Sequence, residues 1–240
     1  LFRILTVPLV AVLVACGGGG GNSGTSNGGS SGGSTGTAVP KVVEVEASAT
    51  SLKSADATGI TISALVKDSS NNALTEQVVS FVASSGVLSS VSSATGADGR
   101  ATALLTAGSD RSNRSITVTV KAGSIEGTIV VPVDGTTLSV AGSTSLLVGA
   151  STTFAVSLKD SSGNPIAAQQ IAVTSALGNA VTPAQAATDN TGATSFNYVA
   201  TRSGADVITV TGAGVVQTLA VNVSSINFAF TAPAASTEVT

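Results

Sequence analysis

Apolar and polar residues alternate with a period of two in several short stretches of this chain. Ile60, Ile62, Ala64 and Val66 fall on one side of one such stretch, and Thr61, Ser63, Leu65 and Lys67 on the other. Successive side chains of a strand point to opposite faces, so the alternation predicts a half-buried strand. At an offset of 92, Thr152, Phe154, Val156 and Leu158 take the same inward places, with Thr152 alone breaking the apolar set at the strand end. The repetition continues downstream. Val79 and Phe81 align with Ile171 and Val173, and Ala97-Asp98-Gly99-Arg100-Ala101 aligns at an offset of 93 with Asn190-Thr191-Gly192-Ala193-Thr194. Ser115-Ile116-Thr117-Val118-Thr119 is matched to Val207-Ile208-Thr209-Val210-Thr211, and Gly127 to Val133 is matched to Val216 to Val223.

Turn signals at Ser70-Asn71-Asn72, Ala97-Asp98-Gly99 and Gly163-Asn164-Pro165 separate these stretches. Each unit holds about seven short strands in roughly 90 residues, the size of a sandwich domain. No stretch has a helical period. The expected fold class is all-β: tandem immunoglobulin-like β-sandwiches, residues 39–135 and 136–225, after residues that read as a signal peptide and a disordered linker. Neither sandwich has the disulfide and core tryptophan of antibody domains, so Val, Ile, Leu and Ala, with Phe81, Phe154, Phe196 and Tyr198, must fill the cores. A short segment near Asp134-Gly135-Thr136 joins the two, and an elongated rod is expected. Residues 226–240 alternate at Ile226, Phe228 and Phe230 and read as the start of a third, truncated unit.

The order of elements in both units resembles that of the bacterial Ig-like domains of the invasin/intimin type. An extended opening strand is followed by a strand ending in Val66-Lys67-Asp68 or Leu158-Lys159-Asp160, then an Asn-containing turn and an apolar residue, Leu74 or Ile166. There follow Val79-Ser80-Phe81 or Ile171-Ala172-Val173, the pattern T-x-x-x-G-x-A/T beginning at Thr95 and Thr188, an I-T-V-T strand and a Val-rich last strand. The resemblance covers about residues 41–225. It implies a rod or stalk that displays something at a cell surface, often in adhesion.

The amino terminus has a different pattern. Residues 1–15, LFRILTVPLVAVLVA, place Arg3 before an apolar run interrupted by Thr6 and Pro8. A bilayer span needs about 20 apolar residues, so this run is too short. A basic front, a short apolar core and a small residue at its end match a secretory signal peptide. Leu13-Val14-Ala15-Cys16 is similar to the lipobox of bacterial lipoproteins. That resemblance implies cleavage before Cys16, lipidation of its thiol and acylation of the new amino terminus. Two or more acyl chains anchor stably where one does not. The resemblance also implies that Gly17, standing where an inner-membrane lipoprotein of enterobacteria carries aspartate, directs the protein to the outer membrane of a Gram-negative cell, on its periplasmic or cell-surface face. The chain opens on Leu1 and holds no methionine, so a fragment or an alternative start codon is expected.

Cys16 is the single cysteine and the chain has no histidine, so Cys16 has neither an internal disulfide partner nor a histidine base. Residues 17–38 are almost entirely Gly, Ser, Thr and Asn. Such a segment has no apolar surface to offset the entropy of ordering, and 22 residues of it reach roughly 26 Å on average.

Composition narrows the function. The net charge is −3 and no basic patch is present, which disfavours nucleic-acid binding. No catalytic set is identified, no cofactor is implied and no metal site is assigned. Asp68 and Asp160, each after a strand-end lysine, are the strongest metal-ligand candidates, but their loops lack the acidic density of a calcium loop, and an Asx turn explains them better. Asp98 before Gly99 is a turn residue. Glu44 and Glu46 are read as an exposed strand face rather than a glycosidase pair. Asp110, Arg111 and Arg114, and likewise Arg202 and Asp206, are read as solvated charged loops. The expected function is a surface-anchored structural stalk or adhesive module, not an enzyme, held to the membrane by a lipid. The alternatives are a binding module for a glycan or envelope protein, and spacer domains for a functional domain beyond Thr240.

Overall fold

The computed structural model describes residues 38–225. These form β-strands and connecting turns, with no helix among the described residues. The lipobox, most of the Gly/Ser stretch and residues 226–240 lie outside the described residues.

The first sandwich consists of β1 (Val42–Ala47), β2 (Leu52–Lys53), β3 (Ile60–Lys67), β4 (Val79–Ala83), β5 (Val87–Ser89), β6 (Arg100–Thr106), β7 (Arg114–Ala122) and β8 (Ile125–Asp134). One sheet has the order β1-β3-β6-β5 and the other β2-β8-β7-β4. The opening strand is split between the layers: β1 runs antiparallel to β3 in one sheet, and β2 parallel to β8 in the other. This is the immunoglobulin-like layout the sequence predicts, with eight strands where seven are expected.

The second sandwich repeats it with β9 (Thr137–Ala141), β10 (Ser145–Leu147), β11 (Ser151–Lys159), β12 (Gln170–Ser175), β13 (Ala180–Thr182), β14 (Gln185–Ala187), β15 (Ala193–Val199), β16 (Gly204–Gly212) and β17 (Val215–Ser224). Its sheets are β13-β15-β11-β9 and β10-β17-β16-β12-β14. The added strand is β14, which pairs with the edge of β12; in the first sandwich the same place holds a single bridge, Val78 to Ala94.

Period-two alternation carries through to burial. In β3 the buried residues are Ile60, Ile62, Ala64 and Val66, and in β11 they are Phe154, Val156 and Leu158. The two cores are separate clusters. The first is aliphatic, with Phe81 only packed against it. The second is built around Phe154, Phe196 and Tyr198, all fully buried, with the Phe154 and Tyr198 rings tilted at 5.3 Å between centroids.

One part of the repeat alignment is corrected. Matching Ile116 to Ile208 places the F-type strands at an offset of 92. The hairpins fix it at 90: Ala122 faces Ile125 across the first turn, and Gly212 faces Val215 across the second. Inward residues then correspond as Val120 to Val210, Val118 to Ile208 and Ile116 to Asp206. A shift of two keeps every side chain on its face, so alternation alone cannot detect the error.

Candidate functional site

The aspartates considered as metal ligands are turn residues. Asp68 Oδ1 accepts the backbone N–H groups of Ser70 at 2.8 Å and Asn72 at 2.9 Å, and its Oδ2 accepts the Asn72 side chain at 3.2 Å. Asp160 repeats this with Ser162, Asn164 and the Asn164 amide. The backbone and side-chain bonds from Asn72, joined by that from Ser70, hold the Asp68 carboxyl below its ordinary range. Each turn has one residue at positive φ, Asn71 at 64° and Gly163 at 82°, two residue types that tolerate this conformation. Among the described residues, no group of three or more potential metal ligands converges. Asp98 likewise closes a turn by accepting the Arg100 N–H.

Glu44 and Glu46 lie on the exposed face of β1. Glu44 pairs with Lys67 of β3 at 2.8 Å, and Glu46 with Arg100 of β6 at 3.3 Å. The two carboxylates are thus held by separate cations on neighbouring strands.

The solvated reading holds for Asp110 and Arg202, which are exposed, and fails at Arg111, Arg114 and Asp206. Arg114 is largely buried and donates to the carbonyls of Ala107, Asp110 and Ser112 and to Ser85 Oγ, which organises the loop between β6 and β7. Asp206 is not in a loop at all. It sits on β16, 1% exposed, and accepts bonds from Ser175 Oγ (2.6 Å), Leu177 N (3.0 Å), Asn179 Nδ2 (2.8 Å) and the Tyr198 hydroxyl (2.8 Å). Burial on its own would raise the Asp206 pKa, but these four donors outweigh it and hold the carboxyl at about 2. Burial, together with the Asp206 charge, pushes the Tyr198 hydroxyl well above its ordinary range.

Asn179 is the pivot of this network. Its Oδ1 accepts the N–H groups of Thr201 and Arg202, both at 2.8 Å, and so holds the loop between β15 and β16. Gly86 and Gly178 share a positive φ, yet Gly86 directly precedes β5 while Asn179 intervenes before β13. Asn179 is therefore an inserted residue, and it accounts for the change of repeat offset from 92 to 93. In the first sandwich the positions of Ser175, Tyr198 and Asp206 carry Ala83, Leu105 and Ile116.

The two sandwiches meet at a compact polar joint that sequence reasoning missed. Ser54 and Thr136 are both buried, and their hydroxyls are hydrogen-bonded at 2.9 Å. Thr136 Oγ1 also donates to the Arg111 carbonyl, and the Arg111 guanidinium donates to the Ser54 carbonyl at 2.7 Å. Asn113 brackets the Thr136 backbone, donating from Nδ2 to its carbonyl and accepting its N–H at Oδ1. From the second sandwich, Ser161 N donates to Ser54 Oγ at 3.0 Å, and Ser161 Oγ accepts Ala55 N at 2.9 Å. The Ala213 carbonyl accepts Asn113 N at 2.9 Å. A signal for the joint was present in the sequence: residues 108–113 of the first unit stand where residues 201–203 stand in the second, a loop longer by three residues that carries Arg111 and Asn113.

No family model and no curated protein sequence matches the chain. Solved structures do. The Yersinia pseudotuberculosis adhesin InvE matches over 75% of this chain and 58% of its own, at 16% identity and a TM-score of 0.50. The D0-D1 domain of intimin matches over 76% of this chain and 99% of its own, at 22% identity and a TM-score of 0.36. Invasin, described as a bacterial integrin-binding protein, matches over 77% and 40%, at 21% identity and a TM-score of 0.40. The chain thus spans 58% of the length of the InvE structure, and at 16% identity that likeness speaks for the fold. Residues 38–225 are two tandem immunoglobulin-like β-sandwiches, a fold similar to that of the adhesin InvE.

Proposed function

We propose that this chain is an envelope lipoprotein whose Ig-like sandwiches act as a structural stalk or adhesive module. In this reading residues 1–15 are removed, Cys16 is lipidated and anchors the chain in the outer membrane, residues 16–38 form the lipidated start and its tether, and residues 39–135 and 136–225 are the displayed domains. The observation that carries the proposal is the pair of Ig-like sandwiches, with the fold of a bacterial adhesin, following a sequence that ends in Leu13-Val14-Ala15-Cys16. The glycan alternative loses support. Sugar binding uses exposed rings, and among the described residues Phe154, Phe196 and Tyr198 are buried while Phe81 packs against the first core.

The test is cell fractionation with acyl-chain labelling of the parent and Cys16→Ser. The parent is expected in the outer-membrane fraction, labelled, and the variant unlabelled and free of the membrane. Parent protein found unlabelled in the cytosol overturns the proposal.

A further inference from the structure

The ends of the two sandwiches are not interchangeable. The end of the first that faces the second, here its upper end, presents Ser54 and the Arg111 and Asn113 loop, and Thr136 of the connecting segment packs on it. The lower end of the second inserts Ser161 and the Ala213-Gly214 turn of the β16–β17 hairpin. Fit at that turn depends on Gly214: a Cβ there would overlap the Asn113 carbonyl. Ala213 and Gly214 both have positive φ, 49° and 72°, an uncommon state for alanine, and Ala213 in it directs its carbonyl to the Asn113 N–H.

The equivalent residues elsewhere do not reproduce this chemistry. At the lower end of the first sandwich, Ser69 matches Ser161, but Ser124 stands where Gly214 does. At the upper end of the second, Val148 replaces Ser54: each follows the split opening strand, and each N–H donates to the last strand, at Asp134 and Ser224. Ser203 stands where Asn113 does, and the extension that carries Arg111 is missing.

We infer that the upper end of the first sandwich is a keyed socket, and that the partner it fits is an Ig-like end with serine at the position of Ser161 and glycine at that of Gly214. The key admits the second sandwich and rejects the lower end of the first. The units therefore join in one order. First sandwiches do not stack on one another through this surface, because a head-to-tail contact between them would need the missing glycine. This inference stands apart from the proposed anchoring and function.

Amide hydrogen exchange on the whole chain tests it, read at Ala55, Asn113 and Ser161. All three amides are expected to be protected in the parent. Gly214→Asn keeps a residue that tolerates positive φ but adds the Cβ. It is expected to accelerate exchange at the three amides by about tenfold or more while β7 and β16 stay protected. Ser124→Asn, at the matching turn of the first sandwich, is expected to leave all three unchanged. Ser54→Val installs the residue found at Val148 and is expected to expose Asn113, whose own acceptor, the Ala213 carbonyl, the substitution does not touch. Should Gly214→Asn also unfold β16, the Ser54→Val result decides. Rapid exchange in the parent, an unchanged Asn113 in Ser54→Val, or full protection in a folded Gly214→Asn overturns the inference.

Discussion

At the residue scale, the decisive contrast is between polar and apolar solutions to the same position. Asp206 replaces Ile116 and is tolerated because four donors converge on it. Removing an acceptor that serves several buried donors leaves each of them unsatisfied. Asp206→Ala is expected to destabilise the second sandwich by about 3 kcal/mol, measured by denaturant unfolding. Replacing the network with the first sandwich's residues (Ser175→Ala, Tyr198→Leu and Asp206→Ile, with Asn179 deleted) should recover most of that loss, since apolar replacement of a whole buried polar set is often neutral. Failure to recover would show that Asn179 is needed for its hold on the 201–202 loop. The depressed Asp206 pKa also sets a pH dependence. The folded state releases this proton more readily than the unfolded chain, so the stabilisation is fully present above about pH 4 and is lost as pH falls toward 2. It amounts to roughly 2 kcal/mol, and acid titration of unfolding by tyrosine fluorescence reads it through Tyr198.

The backbone offers a second residue-scale test. Glu76 and Ala168 occupy matching positions, and both have φ of 57°. A non-glycine residue costs roughly 1 kcal/mol there. Glu76→Gly and Ala168→Gly are expected to raise stability by about that amount, which thermal unfolding would register.

At the element scale, a buried threonine fastens the same turn in each sandwich. Thr95 Oγ1 donates to the Leu74 carbonyl and accepts the Gln77 N–H; Thr188 Oγ1 does the same with Ile166 and Gln169. These are the threonines of the T-x-x-x-G pattern, so the motif was legible in the sequence while its role was not. A threonine before a glycine turn reads as solvent-facing until a carbonyl more than 20 residues away is brought onto its hydroxyl. Thr188→Val keeps the shape and removes both bonds. It is expected to cost about 1–3 kcal/mol and to speed exchange of the Gln169 amide; an unchanged Gln169 amide would show the fastener to be idle. The strands themselves were readable because alternation and turn residues are local. The register of β16 was not. Two alignments that differ by an even number of residues satisfy the same alternation, and the hairpin turn selects between them.

At the scale of the whole molecule, two separate cores meet through a polar joint. Truncating a large side chain in one core should act mainly on that core. Phe154→Ala is expected to cost the second sandwich about 3–5 kcal/mol. In calorimetry its melt should then separate from that of the first sandwich. A single transition shifted as one would mean that the joint couples the two more strongly than their separate cores suggest.

The sequence by itself determined the strand pattern, the duplication and the all-β class. These follow from period-two alternation and from Gly and Asn turns, which act over a few residues. It also marked Cys16 as a lipidation candidate, a matter of composition on one short segment. The tertiary structure alone decided which polar residues would be buried together. Ser54 and Ser161 are 107 residues apart and meet across the joint, and Asn179 meets Tyr198 and Asp206 from three different segments. A serine or aspartate looks solvent-facing in isolation because burying it unpaired is costly. Only folding supplies the distant partners that remove the cost.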